Sequence, residues 1–251
     1  MRRSSPALGA LIVAFVVGTA LSGVSGAAAG GTGGLPSPKA DNAAPVLPAS
    51  ASVARVRMWL ATALSVRLDA LGALTAAVGA ARDLTAGHRI ALDAIVTTDR
   101  SGLTGLSAAL GSETTIGELQ TTASAMVLNY RVFSLLVPEV RAVITADREL
   151  AQAVKLSALE PSIQTAITTE QRTGNRAAAA QRIYEALVAL LSAVEASTGE
   201  VAASLLALTP ANDAQVATTL AASTSALNAA DAQLVSAQTD IRRIVRILGG
   251  A

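Results

Sequence analysis

Two aspartates stand where a helical seam should be apolar. Asp99 falls on the row Leu92, Asp99, Leu106, and Asp147 on the row Val140, Asp147, Val154. Residues seven apart share one helix face, so each carboxylate interrupts a buried stripe. Each also precedes an arginine, in Thr98-Asp99-Arg100 and Ala146-Asp147-Arg148. Burying a carboxylate alone is costly, so it must be paired or hydrogen-bonded. The candidate partners are Arg131, Arg148 and the Tyr130 hydroxyl. In one reading, Asp99, Tyr130, Arg131, Asp147 and Arg148 form a polar binding site between the second, third and fourth helices. In the other, the aspartates only set helix register, or the seam is open to water there.

Other chemistry is thinly represented. Cysteine is absent and there is one histidine, His88. Disulfides, thiolate metal sites and His clusters are excluded, as are most hydrolytic triads. The expected metal and cofactor content is none, and no catalytic residue is assigned. His88 reads as a first-turn surface residue beside Arg89, because no second ligand of its type exists. A carboxylate pair for glycoside cleavage remains open. The chain has only five aromatic residues, however, and sugar sites usually need stacking platforms. The glycines at 30–34 precede no strand–helix unit and are no phosphate loop.

The elements around these residues are helical. Much of the 51% hydrophobic content is alanine, the best helix former. Formal charge is +1, and removal of Arg2 and Arg3 with a leader makes it −1. A near-neutral chain without a basic tract is a poor nucleic-acid binder.

Arg2 and Arg3 precede an uncharged apolar run to Leu21, then Ser25-Gly26-Ala27-Ala28-Ala29. This pattern predicts a signal peptide over 1–29, cut after Ala29. The alternative is an uncleaved anchor, the only membrane segment expected, although the run is short of the roughly 20 residues a span needs. Residues 30–50 are Gly- and Pro-rich and read as a linker. Residues 51–251 form the helical domain.

Heptads place the helices of that domain. Leu64, Leu71 and Val78 mark the first, at about 53–82. Leu92, Val96, Leu103, Leu106 and Leu110 mark the second, from Thr85–His88 to Gly111. Ser112 to Thr115 offers a cap for the third, with Ile116, Leu119, Met126 and Tyr130. The stretch from Tyr130 to Pro138 is rich in β-branched and aromatic residues and predicts a break, kink or extended segment. A fourth helix runs from Pro138 to about Thr173, with Pro161 as a possible kink. Asn175 caps a fifth, striped by Leu187, Val194, Val201 and Leu208. Thr209 to Asn212 turns into a sixth. Its large row is Leu220, Leu227, Leu234, Ile241 and Leu248, beside a mostly small row of Val216, Ser223, Ala230, Ala237 and Ile244. The expected fold is all-α, an elongated antiparallel bundle or set of coiled-coil hairpins of about six helices. The basic end of the last helix, Ile241 to Leu248, either suits the helix dipole or touches an anionic polymer or lipid headgroup.

The segments Asp99-Arg100-Ser101-Gly102-Leu103-Thr104, Tyr130-Arg131-Val132-Phe133 with Leu136 and Pro138, and Ala146-Asp147-Arg148 resemble a family of exported Ala-rich helical-bundle proteins of high-GC Gram-positive bacteria. The Ala-Leu-Thr-Pro turn at 207–210 and the helix after it are similar too. The resemblance implies export and a helical bundle, and it carries over no activity or site. The expected function is a non-enzymatic structural or interaction role at the cell envelope or outside, with an envelope polymer or a protein as partner. The alternative is a carrier or lipid-surface protein that opens its stripes to apolar ligands. Self-association is open to any stripe left uncovered within the chain.

Overall fold

In the computed structural model the described residues are Leu47, 51–173 and 176–249. The signal-peptide reading, Asn175 and all of the 30–50 linker except Leu47 lie outside them. Every regular element among the described residues is helical. The elements are α1 (Val53–Ala80), α2 (Ala86–Ala109), α3 (Ile116–Leu128), a π-helical turn (Val132–Leu136), α4 (Val137–Ser157), α5 (Glu160–Thr173), α6 (Ala177–Leu206), a 3-10 turn (Pro210–Asn212) and α7 (Asp213–Gly249).

The all-α expectation holds, with seven described α-helices where about six were expected. The predicted fourth helix is two, because the chain breaks at Ala158–Leu159 and restarts at Glu160. Pro161 then lies in the first turn of α5, where its missing N–H costs nothing. The predicted break before Pro138 is present, since α3 ends at Leu128 and Arg131 is left-handed, but the stretch is not extended. It is a π-helical turn that runs straight into α4, and Pro138 occupies the first turn of that helix.

Caps fix several boundaries. Ser52, Thr85 and Thr115 accept the N–H of the residue three positions on at the starts of α1, α2 and α3. At α3 the Glu118 carboxylate returns to the Thr115 N–H at 2.9 Å, completing a capping box. Backbone N–H groups of Thr114 and Thr115 hold the Glu118 carboxyl below its ordinary value. Arg89 donates to the carbonyls of Val78 and Ala81, closing the exposed C-terminal carbonyls of α1 with a cation.

Two cores result. The larger gathers Leu60, Leu64, Leu71, Leu92, Leu103, Leu119, Met126 and Val140. Leu47 joins it, and its N–H donates to Gln120 Oε1 at 3.0 Å. The smaller gathers Ile167, Leu187, Leu191, Val194, Leu234 and Ile244. Helix α6 packs mainly on α7 and α4, and α1 packs mainly on α2. The C-terminal end of α6 shares the larger core with Leu227. Its N-terminal part shares the smaller core with Ile244.

The two heptad rows of α7 are buried unequally. Val216, Ser223, Ala230, Ala237 and Ile244 are all buried, whereas in the large row only Leu227 and Leu234 are, and Leu220, Ile241 and Leu248 flank the cores. The small row therefore sets the closest approach of α7 to its neighbours. Ala237→Leu should overpack that seam and cost about 1–3 kcal/mol. Ala232→Leu, on the exposed side, should change stability by less than about 0.5 kcal/mol. Urea denaturation of the two variants checks this difference.

Candidate functional site

Helix α4 carries three buried carboxyl groups, on Glu139, Asp147 and Glu149. Each is buried for a geometric reason, because α4 packs against α1, the π-turn, α6 and α7. Their environments differ, and the differences divide the predicted site in two.

Asp147 is 2% exposed. Its Oδ2 accepts the backbone N–H of Thr85 at 2.6 Å, and His88 Nδ1 lies 2.8 Å from Oδ1 and 3.0 Å from Oδ2. None of the predicted partners, Arg131, Arg148 or Tyr130, takes this role. His88 does stand in the first turn of α2, as expected, but it is tied to α4 rather than being a solvated surface residue. The physical reason lies in the cap. Thr85-Ala86-Gly87-His88 matches Thr115-Ile116-Gly117-Glu118 in spacing, with histidine where the box needs a carboxylate. Helix α4 supplies that carboxylate from outside, so Asp147 completes the cap of α2 in trans. Its negative charge also sits at the positive end of the α2 dipole. The second nitrogen of the His88 ring, Nε2, is the atom this pairing leaves for other contacts.

The second half surrounds the π-turn. Arg131 precedes the turn with φ 37° and ψ 45°, and it is the only described non-glycine residue with positive φ. Such a conformation costs on the order of 1 kcal/mol or more and is held by its surroundings. The Tyr130 ring packs directly on Gly102 of α2, where a Cβ would fall 2.2 Å from the phenolic oxygen. Phe133 on the π-turn lies 5.4 Å from the guanidinium carbon of Arg67, which is fully buried on α1. One turn further on, Glu139 is 1% exposed and its Oε1 makes no hydrogen bond. Burial raises the Glu139 carboxyl to about 8, and the charge of Asp99 adds to the effect. Burial alone raises Asp99 to about 7. The seam between α2 and α4 thus holds two carboxyl groups that disfavour each other's ionisation.

The structure therefore brings Asp99, Tyr130 and Arg131 to one junction and places Asp147 at another, with His88. Arg148 is exposed and only opposes the rise of Glu149, whose burial lifts it to about 7 with help from Asp231. Arg100, which follows Asp99, reaches across to Gly72 of α1. Sequence reasoning missed Glu139, Glu149 and Arg67. The signal for Glu139 was present, since it lies eight residues before Asp147 and so on the same face.

Chemically, the first cluster presents an imidazole oriented by a buried carboxylate. The second can hold a proton on a buried acid near neutral pH. No described group of three or more His, Asp or Glu side chains is placed to hold a metal ion. A groove of about 450 Å³ lies elsewhere, between the end of α6 and the start of α7, lined by Ser197, Glu200, Ser204, Thr218, Thr219 and Ser223. Compared with known proteins, the chain matches no family model, no curated protein and no solved structure.

Three outcomes are expected. Asp147→Ala strands the Thr85 N–H and His88 and should cost about 1–3 kcal/mol, while His88→Ala should cost less because Asp147 still accepts from Thr85. Gly102→Ala should destabilise, since the added carbon meets the Tyr130 ring unless the ring moves. The raised carboxyls set a pH dependence. Their folded values lie above their unfolded ones, so the native state favours the protonated forms. Their contribution is fully present below the ordinary carboxyl values near 4 and is lost as pH rises toward 7–8. Glu139→Gln should raise Tm at pH 8 and flatten the fall between pH 5 and 8, as read by thermal melts across that range.

Proposed function

We propose that this chain is an exported, non-enzymatic helical-bundle protein with a structural or interaction role at the cell envelope or outside the cell. Its helices form an elongated antiparallel bundle that presents long faces to a partner chain or an envelope polymer. The observation that carries this reading is the use made of the His88–Asp147 pair. In this fold the pair caps α2 and fastens it to α4, a mechanical task. The Arg2-Arg3 start, the apolar run and the Ala27 and Ala29 positions support export. So does the resemblance to exported Ala-rich helical proteins. Helices α1 and α6 are long and apolar enough to cross a membrane by length and composition. Their leucines at 60, 64, 71, 187, 191 and 205 are buried against neighbouring helices, which favours core helices over spans.

A second reading is a carrier or lipid-surface protein, and the α2–α4 seam favours it. Helix α2 buries only Leu92, Val96 and Leu103 along its 24 residues, and Asp99 and Glu139 weaken its far end once ionised. Release of α2 would uncover the leucines of α1 for an apolar ligand. Trp59, half-buried at the edge of the larger core, reports on that opening.

Two measurements test these readings. Intact mass of the protein from the envelope and medium should give a chain beginning at Gly30, and retention of the uncut chain in the cytoplasm overturns export. Trp59 fluorescence should stay unchanged on addition of fatty acids or vesicles, whereas a shift selects the carrier.

A further inference from the structure

One end of the molecule concentrates arginine. Ala177 and Ala180 at the start of α6 share the smaller core with Ala237 and Ile244 near the end of α7. Arg176 and Arg182 therefore lie at the same end as Arg242, Arg243 and Arg246, and all five are exposed. None of the five side chains makes an ion pair or hydrogen bond among the described residues. The acids at this end are Glu160, Glu170, Glu185 and Asp240. Glu185 accepts from Gln181 instead, and Tyr184 has its hydroxyl raised above the ordinary value by burial, with the charge of Glu160 adding to the effect.

Internal electrostatics do not account for this placement. Of the three arginines on α7, only Arg246 is in the last turn, where a cation suits the helix dipole. Arg176 stands at the opposite pole, as the N-cap of α6, where a cation is disfavoured and no side chain caps the helix, and Arg182 follows in the second turn. An external anion relieves both costs. The end also has apolar character, since Val245 is 39% exposed between the arginines and Ile247 and Leu248 are only partly covered. Arginines flanking exposed aliphatic groups match a bilayer surface, with guanidinium groups on lipid phosphates and the aliphatic groups at the acyl boundary.

We propose that the end formed by Arg176, Arg182, Arg242, Arg243, Arg246 and Val245 docks on an anionic phospholipid surface. The proposal rests on the interaction reading above and names its partner. Docking at this end leaves the bundle closed and the larger core, with Trp59, away from the lipid.

Co-sedimentation of the full chain with vesicles tests it, with wild type and variants sharing one N-terminus. The expected result is binding to phosphatidylglycerol vesicles but not to phosphatidylcholine vesicles, release at 0.5 M salt, and no change in Trp59 fluorescence. R242E/R243E/R246E should weaken binding by roughly a hundredfold or more, with the helical circular dichroism spectrum retained. If that variant does not fold, R182Q/R246Q should still weaken binding about tenfold or more. Equal binding to both vesicle types, or unchanged binding by a folded variant, overturns the proposal. Binding to soluble polyphosphate in place of vesicles overturns it in favour of a polymer. Arginine-independent binding with a Trp59 shift overturns it in favour of the carrier. Failure on vesicles, while the protein still cross-links to an envelope protein, removes the lipid partner and leaves the interaction reading standing.

Discussion

The enclosure of α4 is the constraint on which the other arrangements depend. Neighbours contact this helix along most of its length, from the π-turn and α1 at its start to α6 and α7 further on. A helix so placed should turn apolar faces to those neighbours and keep polar residues, like its Arg141, Arg148 and Lys155, on the exposed side. This one carries Glu139, Asp147 and Glu149 inside, so each acid needs a local solution. Asp147 finds a backbone N–H and an imidazole on α2. Glu139 and Glu149 find none of comparable strength and are pushed toward the neutral form, in which burial is tolerable.

The same constraint explains why α2 is held unevenly. Its first turn is bound to α4 through a cap that requires the other helix for completion. About three turns later, Asp99 faces Glu139, and ionisation of either disfavours the other. The π-turn and the left-handed Arg131 lie against this weaker end. A π-turn adds a residue to the helical ladder and is common where a chain serves a purpose beyond packing. Strain, unpaired acid and a tyrosine seated on glycine therefore coincide at one junction.

Alanine sets the character of the remaining packing. With five aromatic residues in 251, few rings are present to fill wide gaps, so the helices must come close. The α6–α7 seam does so through Val216, Ser223, Ala230 and Ala237. Little apolar area is buried per residue at such a seam, so stability accumulates over many turns. This accounts for helices of 30 and 37 residues.

The sequence alone determined the helical class, nearly every helix start, and the apolar stripes, because caps and heptads are local and repeat. Thr85, Thr115 and Pro138 marked beginnings, and Leu187, Val194 and Val201 marked a buried face. It also identified Asp99 and Asp147 as misfits. What those misfits do was decided only by the tertiary structure. Pairing is a matter of which side chains meet across helices, and nothing in the local pattern states that His88 lies opposite Asp147 or Glu139 opposite Asp99. The split at Ala158–Leu159 was likewise settled by packing, and so was the form of the predicted break before Pro138, a π-turn after a left-handed Arg131. Complete burial of the small row of α7, where the large row is buried only at Leu227 and Leu234, has the same origin, because the depth to which a row is buried depends on the helix it faces.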